Sequence, residues 1–418
     1  MRDVQDLALR LGDSLAQARS ATGERILAVR APARSEIAGN HTDHEGGRVI
    51  AGALDRSIEC LAVASGTDEI RVFSQGFDPV CVTIDSLDPR EDEKVSSAGL
   101  VRGMAAQMAA TGRIPHGFDL VMTSDIPSGG GLSSSAAYEL ALCRAMEALW
   151  QGPEVNAVEA AQMAQRVEQD WFGKPCGLMD QLAVSLGGLA YMDFEHEEPK
   201  VEKLSFDFAA YGYALVLTNV GCDHSAYTDE YAAVPVEMKL VAEALGSERL
   251  CEVKESAVLM YLPFLRRQLG DRPVLRAFHY YQEMDLVDGR WDALKAGDMN
   301  TFLTLTRSSG ASSAMFLQNV SASGTREQDA MVALALSERL LAGRGATRIH
   351  GGGFGGSIQA FVPLDFVDDY VEHMDKWLGA GASKVYAISD EGRWHNGFST
   401  IRGSTRGLCG AVRNNLSG

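Results

Sequence analysis

The chain has no long apolar run and few basic residues, and each shortage excludes a class of protein. No apolar stretch approaches the roughly 20 residues that a membrane-spanning helix needs. Lys and Arg number 38 against 56 Asp and Glu in 418 residues, so the formal net charge is −18. A charge of this sign disfavours binding to nucleic acid or to an anionic membrane surface, because both are negatively charged.

Paired cysteines and a secretion signal are also missing. The seven cysteines are scattered, odd in number and form no CxxC motif, which is typical of free thiols in a reducing compartment rather than of a disulfide framework or a zinc site. The first 20 residues have the pattern of an amphipathic helix without the continuous apolar segment of a signal peptide. We therefore expect a cytoplasmic protein. The sequence leaves the oligomeric state open and is compatible with a monomer.

Helical and strand-like segments alternate irregularly along the chain, which predicts a mixed α/β or α+β protein. A charged stretch near residue 200 predicts a boundary between two domains, 1–200 and 201–418. The chain after residue 394 is rich in Gly, Ser and Arg and is expected to be partly disordered. The clearest predicted strands are 26–34, 49–64, 70–84, 118–123 and 213–219, and the clearest helices are 97–110, 136–149, 155–172 and 273–294.

The strongest local signal is the segment Ile126–Ala137, which reads IPSGGGLSSSAA between an apolar strand and an apolar helix. Its glycines let the backbone approach a ligand closely and adopt positive φ, and the free N–H groups of the helix start point back at the loop. No lysine follows the glycines, so this is not the GxxxxGK[ST] phosphate loop. The segment predicts an anion site, with a simple linker as the alternative.

A second polar segment, Asn40–Gly47, places two histidines and two acids in a turn after a strand. Recognition of a polyol fits these side chains, because they accept and donate hydrogen bonds. A metal site is disfavoured, since no helical pair of ligands is present, and an Asx-type turn is the structural alternative.

Asp180 lies in an apolar stretch that the pattern places at the end of a helix. A buried aspartate needs a partner, for which Arg34 is the candidate, and a helix cap is the alternative role. Glu168, one helix earlier, is expected to face the same region or else solvent.

Taken in order, these segments resemble the galactokinases of the GHMP kinase superfamily over nearly the whole chain. The galactokinase signature GRxNxxGEHTDYxxG is similar to the segment ending at Gly47, and the family's phosphate loop is similar to Pro127–Ala136. A CGxMDQ segment and a GGGFGG loop correspond to Cys176–Gln181 and Gly351–Gly356. The resemblance implies a two-lobed GHMP kinase fold with the active site in the cleft between the N- and C-terminal domains. It also implies an ATP-dependent sugar 1-kinase that uses Mg²⁺.

The resemblance assigns roles residue by residue. Asp180 corresponds to the catalytic aspartate near the sugar C1 hydroxyl, and Arg34 to the arginine beside that hydroxyl and the γ-phosphate. Ser135 and Glu168 correspond to the Mg²⁺ ligands. The expected sugar-binding residues are Asn40, His41, Asp43, Gly177 and Tyr231. The expected ATP-binding residues are Gly129, Gly130, Gly131, Leu132, Ser133, Ser134 and Ser135.

The match departs from the family's signature in and around Asn40–Gly47, which is called the sugar loop below because the resemblance assigns sugar binding to it. Asn40 stands where galactokinases usually carry a glutamate that contacts the C6 hydroxyl, and a neutral amide also tolerates a C6 carboxylate. His44 replaces a tyrosine, Ser35–Ala38 differ from the usual Val-Asn-Leu-Ile, and Arg48 adds a cation. Galactose is the expected substrate, with galacturonate or another galacto-configured sugar as the alternative. A non-catalytic sensor of sugar and ATP is a further alternative, disfavoured because the serine loop, Arg34 and Asp180 are complete.

Overall fold

The structure is a computed structural model that describes residues 25–127, 131–174, 176–221, 228–322 and 324–400. Its strands are β1 (Arg25–Ala38), β2 (Arg48–Ala64), β3 (Glu69–Ser74), β4 (Val80–Thr83), β5 (Phe118–Ser124), β6 (Leu189–Asp193), β7 (Lys200–Leu204), β8 (Tyr213–Asn219), β9 (Ala346–Ile349), β10 (Ser357–Pro363), β11 (Ser383–Tyr386) and β12 (Trp394–Thr400). Its α-helices are α1 (Ser97–Ala110), α2 (Ser134–Leu149), α3 (Ala157–Arg166), α4 (Met179–Leu186), α5 (Thr228–Ala244), α6 (Glu255–Met260), α7 (Leu262–Leu269), α8 (Asp271–Ala296), α9 (Met299–Ser312), α10 (Asp329–Leu341) and α11 (Val367–Leu378).

The first sheet has the strand order β12-β1-β2-β5-β3-β4, and β6 and β7 extend it from the far end of β2. Neighbours are antiparallel except for β3 and β5, which run parallel. Helix α2 packs against β1 and β2 and buries an apolar face of alanines and leucines, so this helix is held firmly on the sheet.

The functional segments of the first lobe lie where helices begin or deform. Helix α3 starts with a capping box, in which Asn156 and Glu159 satisfy each other's backbone amides. It runs directly into a π-helical turn, Val167–Phe172, which carries Glu168. Wide turns of this kind are rare and are often found at functional sites.

The second sheet is antiparallel in the order β11-β8-β10-β9. Helices α8 and α9 pack against each other, and α8 also reaches β1 and β2 of the first sheet. One hydrophobic core runs through both lobes, since it includes Leu27 and Leu120 of the first sheet and Leu217 and Phe361 of the second. Among the described residues no helix is both long enough and apolar enough to cross a bilayer.

The mixture of helices and sheets confirms the predicted α+β class, and most predicted elements agree to within a few residues. Asp180 stands in the first turn of α4 and does not end a helix, because Gly173 ends the preceding one in a left-handed conformation. Helices α4, α6, α7 and α9 were not predicted. Residues 394–400, expected to be partly disordered, form β12 against β1, whereas 1–24 and 401–418 lie outside the described residues.

The expected domain boundary at residue 200 stays a prediction. Sheet pairing favours a division a few residues later, because β7 pairs with β6 and therefore belongs to the first sheet. The chain also returns to this sheet through β12, so the N-terminal lobe is not continuous in sequence.

Candidate active site

Asp180 and Arg34 lie side by side, as the sequence predicts. Arg34 extends from β1, and Asp180 stands at the start of α4. Two hydrogen bonds join them: Arg34 Nε donates to Asp180 Oδ1 and Nη2 donates to Oδ2, each at 2.7 Å. The Arg34 side chain is 8% exposed and that of Asp180 is 33% exposed, so the carboxylate remains accessible to a ligand.

This ion pair sets the protonation state of Asp180. Burial by itself would raise the pKa of the Asp180 carboxyl, but the charge and hydrogen bonds of Arg34 hold that pKa below its ordinary value. Burial would by itself lower the pKa of the Arg34 guanidinium, but the charge and hydrogen bonds of Asp180 outweigh the effect of burial, so this pKa is raised. Asp180 is therefore a carboxylate at neutral pH and a weaker base than a free aspartate.

Ser133 connects the ion pair to the start of α2. Its backbone is left-handed, with φ of 53°, and its hydroxyl donates to Asp180 Oδ2. A serine in this position ordinarily caps the helix, but no such side-chain bond forms because the hydroxyl is bound to Asp180. No described side chain caps the amides of the first turn, which are therefore available to a ligand, and none of the described residues in that turn is acidic. The helix start is therefore suited to an anion.

The neighbouring loop residues approach Arg34 through their backbone. The Gly131 carbonyl accepts from Arg34 Nη1, and the Leu132 carbonyl accepts from the Arg34 amide at 3.3 Å. The Leu132 side chain is buried in the hydrophobic core, so this residue can offer a ligand only its backbone. Two of the predicted ATP-binding residues, Gly129 and Gly130, lie outside the described residues.

The predicted metal ligands come from two elements. Ser134 and Ser135 open α2 and are at least partly exposed, whereas Glu168 in the π-helical turn is 3% exposed. Glu168 Oε1 lies 3.2 Å from Lys174 Nζ, and Oε2 accepts from Gln181 Nε2 at 2.8 Å. These two contacts fix the orientation of the Glu168 carboxylate.

The oxygen donors of Ser135 and Glu168 fit Mg²⁺, which prefers hard oxygen ligands and is usually held by one or two carboxylates together with substrate phosphates. In the described part of the chain no cluster of three or more His, Cys, Asp or Glu residues could enclose a cation. The donor set therefore fits a cation that shares its coordination with phosphate oxygens and water.

Glu139 belongs to the same cluster and was missed by the sequence analysis. It lies one turn beyond Ser135 on α2 and is fully buried. Its Oε2 is 3.5 Å from Gln181 Nε2, and its Oε1 has no hydrogen-bond partner among the described residues. Burial, reinforced by the Glu168 carboxylate, raises the pKa of Glu139 well above its ordinary value. The spacing of four residues from Ser135 on one helix was the signal that could have found it.

Asp43 reaches the same region from the sugar loop because residue 177 is glycine. A Cβ atom at Gly177 would lie only 2.1 Å from Asp43 Oδ2, so any larger residue would displace the carboxylate. Burial, partly offset by His44 and reinforced by the Asp180 charge, raises the pKa of Asp43. The structure thus brings the predicted residues Asp43, Gly177 and Asp180 together.

His41 and Tyr231 form the aromatic side of this cluster. Their ring centroids are 5.2 Å apart in an edge-to-face arrangement, and a Cβ on Gly352 would lie 2.0 Å from the Tyr231 ring. His41 Nε2 lies 2.8 Å from the Gly352 carbonyl, which can only accept. Burial lowers the pKa of His41 to about 3, so the ring is neutral and Nδ1 is left as an acceptor. The Gly351–Gly356 loop, which connects β9 and β10, therefore packs against the sugar loop.

Two residues expected on the sugar side are bound to other residues of the chain. Asn40 is fully buried, and its amide is bound by Asn319 and the Gly351 carbonyl; contact with a sugar would require one of these bonds to break. Arg48, expected as a cationic neighbour, is paired with Asp288 on α8.

Comparison with known proteins identifies the family. Residues 99–188 match the family model described as GHMP kinases N terminal domain, and residues 19–64 match the galactokinase galactose-binding signature. A galactokinase from Chloroflexus aurantiacus is 31% identical over 388 residues, which are 87% of this chain and 94% of the relative. The chain belongs to the galactokinase family. A galactokinase from Canis lupus familiaris is also 31% identical, over 92% of this chain and 97% of its own.

Solved structures agree on the fold of this galactokinase-family chain. The crystal structure of Lactococcus lactis galactokinase complexed with galactose superposes with a TM-score of 0.79 at 21% identity, covering 93% of this chain and 99% of that one. A mevalonate kinase structure superposes with a TM-score of 0.63 at 15% identity. The expected GHMP kinase fold and the expected family are confirmed.

Proposed function

We propose that the protein is a galactokinase that transfers the γ-phosphoryl group of ATP to the C1 hydroxyl of D-galactose, with galactose 1-phosphate and ADP as products. The observation that carries the proposal is the contact of Asp180 with both Arg34 and Ser133. This contact places a carboxylate suited to a sugar hydroxyl beside a helix start suited to phosphate. The galactokinase relatives support the same activity.

The phosphate side of the site acts by position and charge. Phosphoryl transfer needs in-line placement and charge neutralisation more than covalent chemistry. The first amides of α2 and the guanidinium of Arg34 supply fixed positive potential. Ser135 and Glu168 would hold Mg²⁺, which when bound neutralises part of the phosphate charge.

Asp180 orients the attacking hydroxyl and accepts its proton. Because Arg34 holds the pKa of Asp180 below the ordinary aspartate range, the carboxylate is too weak a base to remove a proton from a free hydroxyl beforehand. We infer that the proton moves to Asp180 only as the bond from oxygen to phosphorus forms and the hydroxyl becomes acidic. Before that step the carboxylate holds the hydroxyl in line.

Asp43, His41 and Tyr231 would bind the remaining sugar hydroxyls. Asp43 presents its carboxylate at Gly177, and the neutral His41 ring offers an acceptor nitrogen. A neutral ring also leaves the sugar pocket without an additional positive charge. We place this chemistry in the cytoplasm, because the cysteines that the structure describes are free thiols: Cys60, Cys81, Cys143, Cys176 and Cys251.

An ADP-release assay with D-galactose and D-galacturonate tests the proposal, with ³¹P NMR to identify the phosphorylated oxygen. We expect ADP formation with galactose and a phosphate at C1. Asp170→Asn, which alters an exposed carboxylate two residues from Glu168, serves as the control for Asp180→Asn. Binding of sugar and ATP without release of ADP would instead identify a non-catalytic sensor.

Galacturonate is the second candidate substrate, because no carboxylate occupies position 40 to repel an acidic C6 group. The acid in hydrogen-bond contact with Asn40 is Glu36 at the end of β1, and it is paired with Arg348 at 2.6 Å. Turnover of galacturonate without turnover of galactose would replace the first proposal with this one.

A further inference from the structure

Glu36 and Arg348 form a buried ion pair between the two lobes. Glu36 lies on β1 and Arg348 on β9, and both side chains are almost completely buried. Arg348 Nη2 lies 2.6 Å from Glu36 Oε1, and its Nη1 donates to the Ile37 carbonyl at 2.9 Å. The ion pair therefore attaches the second sheet to the strand that leads from Arg34 to the sugar loop.

Asn40 completes this connection with an amide whose hydrogen-bonding capacity is fully used. Its Oδ1 accepts from Asn319 Nδ2 at 2.6 Å and from Ser313 Oγ at 3.3 Å. Its Nδ2 donates to the Gly351 carbonyl and to Glu36 Oε1, the latter at 3.4 Å. A side-chain amide can accept two and donate two hydrogen bonds, so none remains for a sugar hydroxyl.

The residue types at positions 36 and 40 are exchanged relative to the signature GRxNxxGEHTD, which has Asn at the first and Glu at the second. In this chain Glu36 and Asn40 are in hydrogen-bond contact. The two exchanges therefore occur at one site and leave the number of carboxylates unchanged.

Electrostatics requires the two exchanges to occur together. Asparagine at position 36 alone would leave Arg348 buried without its counterion, and glutamate at position 40 alone would bury two carboxylates within contact of each other; both changes are costly. The neighbouring buried carboxylate, Glu283, already has its own partners, since it binds Arg290 and the Gly39 amide.

We propose that Glu36, Asn40 and Arg348 act as one interlobe unit, and that Asn40 positions the sugar loop without binding the sugar. The sugar is then recognised by Asp43 and His41, next to a position 40 that carries no charge. Asn40 and Glu36 are positioning residues in this account. The part of the proposal that concerns the sugar rests on the proposed function, whereas the interlobe unit does not.

Thermal unfolding of four chains tests the unit without any activity: the wild type, Glu36→Asn, Asn40→Glu and the double exchange. We expect each single change to lower Tm by about 5 °C or more, and the double exchange to lower it by clearly less than the sum, because it restores one carboxylate to one arginine. If Asn40→Glu does not fold, Asn40→Asp introduces the same charge in an isosteric side chain. Additive Tm losses would overturn the unit.

The matched control uses an ion pair elsewhere. Asp119 is 4% exposed and bound to Arg71 in the first sheet, so Asp119→Asn also leaves an arginine without its partner. We expect Asp119→Asn and Asn40→Glu to lower Tm additively. If the Tm losses of this control pair departed from additivity as much as those of Glu36→Asn and Asn40→Glu, the departure would be nonspecific and would count against the unit.

Kinetics with monodeoxy galactoses test the absence of a sugar contact. For Asn40→Asp we expect kcat/KM to fall by the same factor, within about threefold, on galactose and on every analogue that retains the C1 hydroxyl. Asp43→Asn is the positive control, because its loss of kcat/KM should largely disappear on the one analogue that lacks the hydroxyl bound by Asp43. If the Asn40→Asp loss of kcat/KM is smaller on one analogue than on galactose by about tenfold or more, Asn40 is a sugar ligand. If no sugar is phosphorylated at all, the proposed function fails and the unfolding cycle still decides the interlobe unit.

Discussion

Replacing Asp180 with asparagine removes the charge of the side chain and keeps its size. The change abolishes the ion pair with Arg34, in which two bonds of 2.7 Å join the groups. It also replaces the proton acceptor with a neutral amide. We expect kcat to fall by about 10²- to 10⁴-fold, the usual scale of acid–base assistance. This corresponds to about 2.7–5.4 kcal/mol of transition-state stabilisation.

The same substitution also affects folding, and the structure sets the expected size. Removal of one partner from a fully buried pair costs about 3–5 kcal/mol. The Asp180 side chain is 33% exposed, so solvent screening reduces the effect, and we expect a loss of about 1–2 kcal/mol. Tm should therefore fall by a few degrees while the protein stays folded at assay temperature.

The two effects are separated by measurement of kcat in an ADP-coupled assay and of Tm on the same samples. Asp170→Asn removes an exposed carboxylate from the adjacent turn and should leave both quantities unchanged. A kcat within threefold of wild type for folded Asp180→Asn would remove Asp180 from the mechanism.

Three further predictions concern the same site. Gly177→Ala should raise KM for the sugar by about tenfold or more with little change in KM for ATP, because the added Cβ would lie 2.1 Å from Asp43 Oδ2. Steady-state kinetics checks this, and a KM for the sugar equal to that of the wild type would contradict it. Glu168→Gln should weaken Mn²⁺ binding in the presence of ADP, measured by electron paramagnetic resonance, by about tenfold or more, and unchanged affinity would remove Glu168 as a ligand. Because the pKa of Asp180 is lowered in the folded state, its stabilising contribution is present above the ordinary aspartate pKa and is lost as pH falls through the lowered value. The Tm difference between wild type and Asp180→Asn should thus stay constant from pH 8 to 5 and shrink below about pH 4, and a difference that shrinks near pH 6 would refute this assignment.

Local motifs predicted much of the site because their requirements are contiguous in sequence. The glycine-serine segment before an apolar helix indicated an anion site, and the structure shows the open start of α2 there. The need of a buried aspartate for a partner predicted the pairing of Asp180 with Arg34. The first inference rests on a rule that acts over a few residues, whereas the second rests on the cost of burying an unpaired charge and joins residues that are 146 positions apart.

Other features could not be predicted, since they depend on contacts between distant segments. Glu139 has the appearance of an ordinary helix residue, and its raised pKa arises because Glu168, from another element, lies near it. Asn40 stands in a sugar-binding signature, and nothing in its sequence neighbourhood indicated that Asn319 and Gly351 of the other lobe bind its amide.

The amino-acid sequence by itself determined the family, the class of fold and the residues able to carry the chemistry, because glycine loops and helix starts are local and chemically specific. Only the tertiary structure decided which of those residues lie together around Asp180, which join the lobes, and which carboxyl pKa values are raised or lowered. Burial and the proximity of charges are properties of the assembled chain, and segments about 300 residues apart, such as Glu36 and Arg348, meet only after folding.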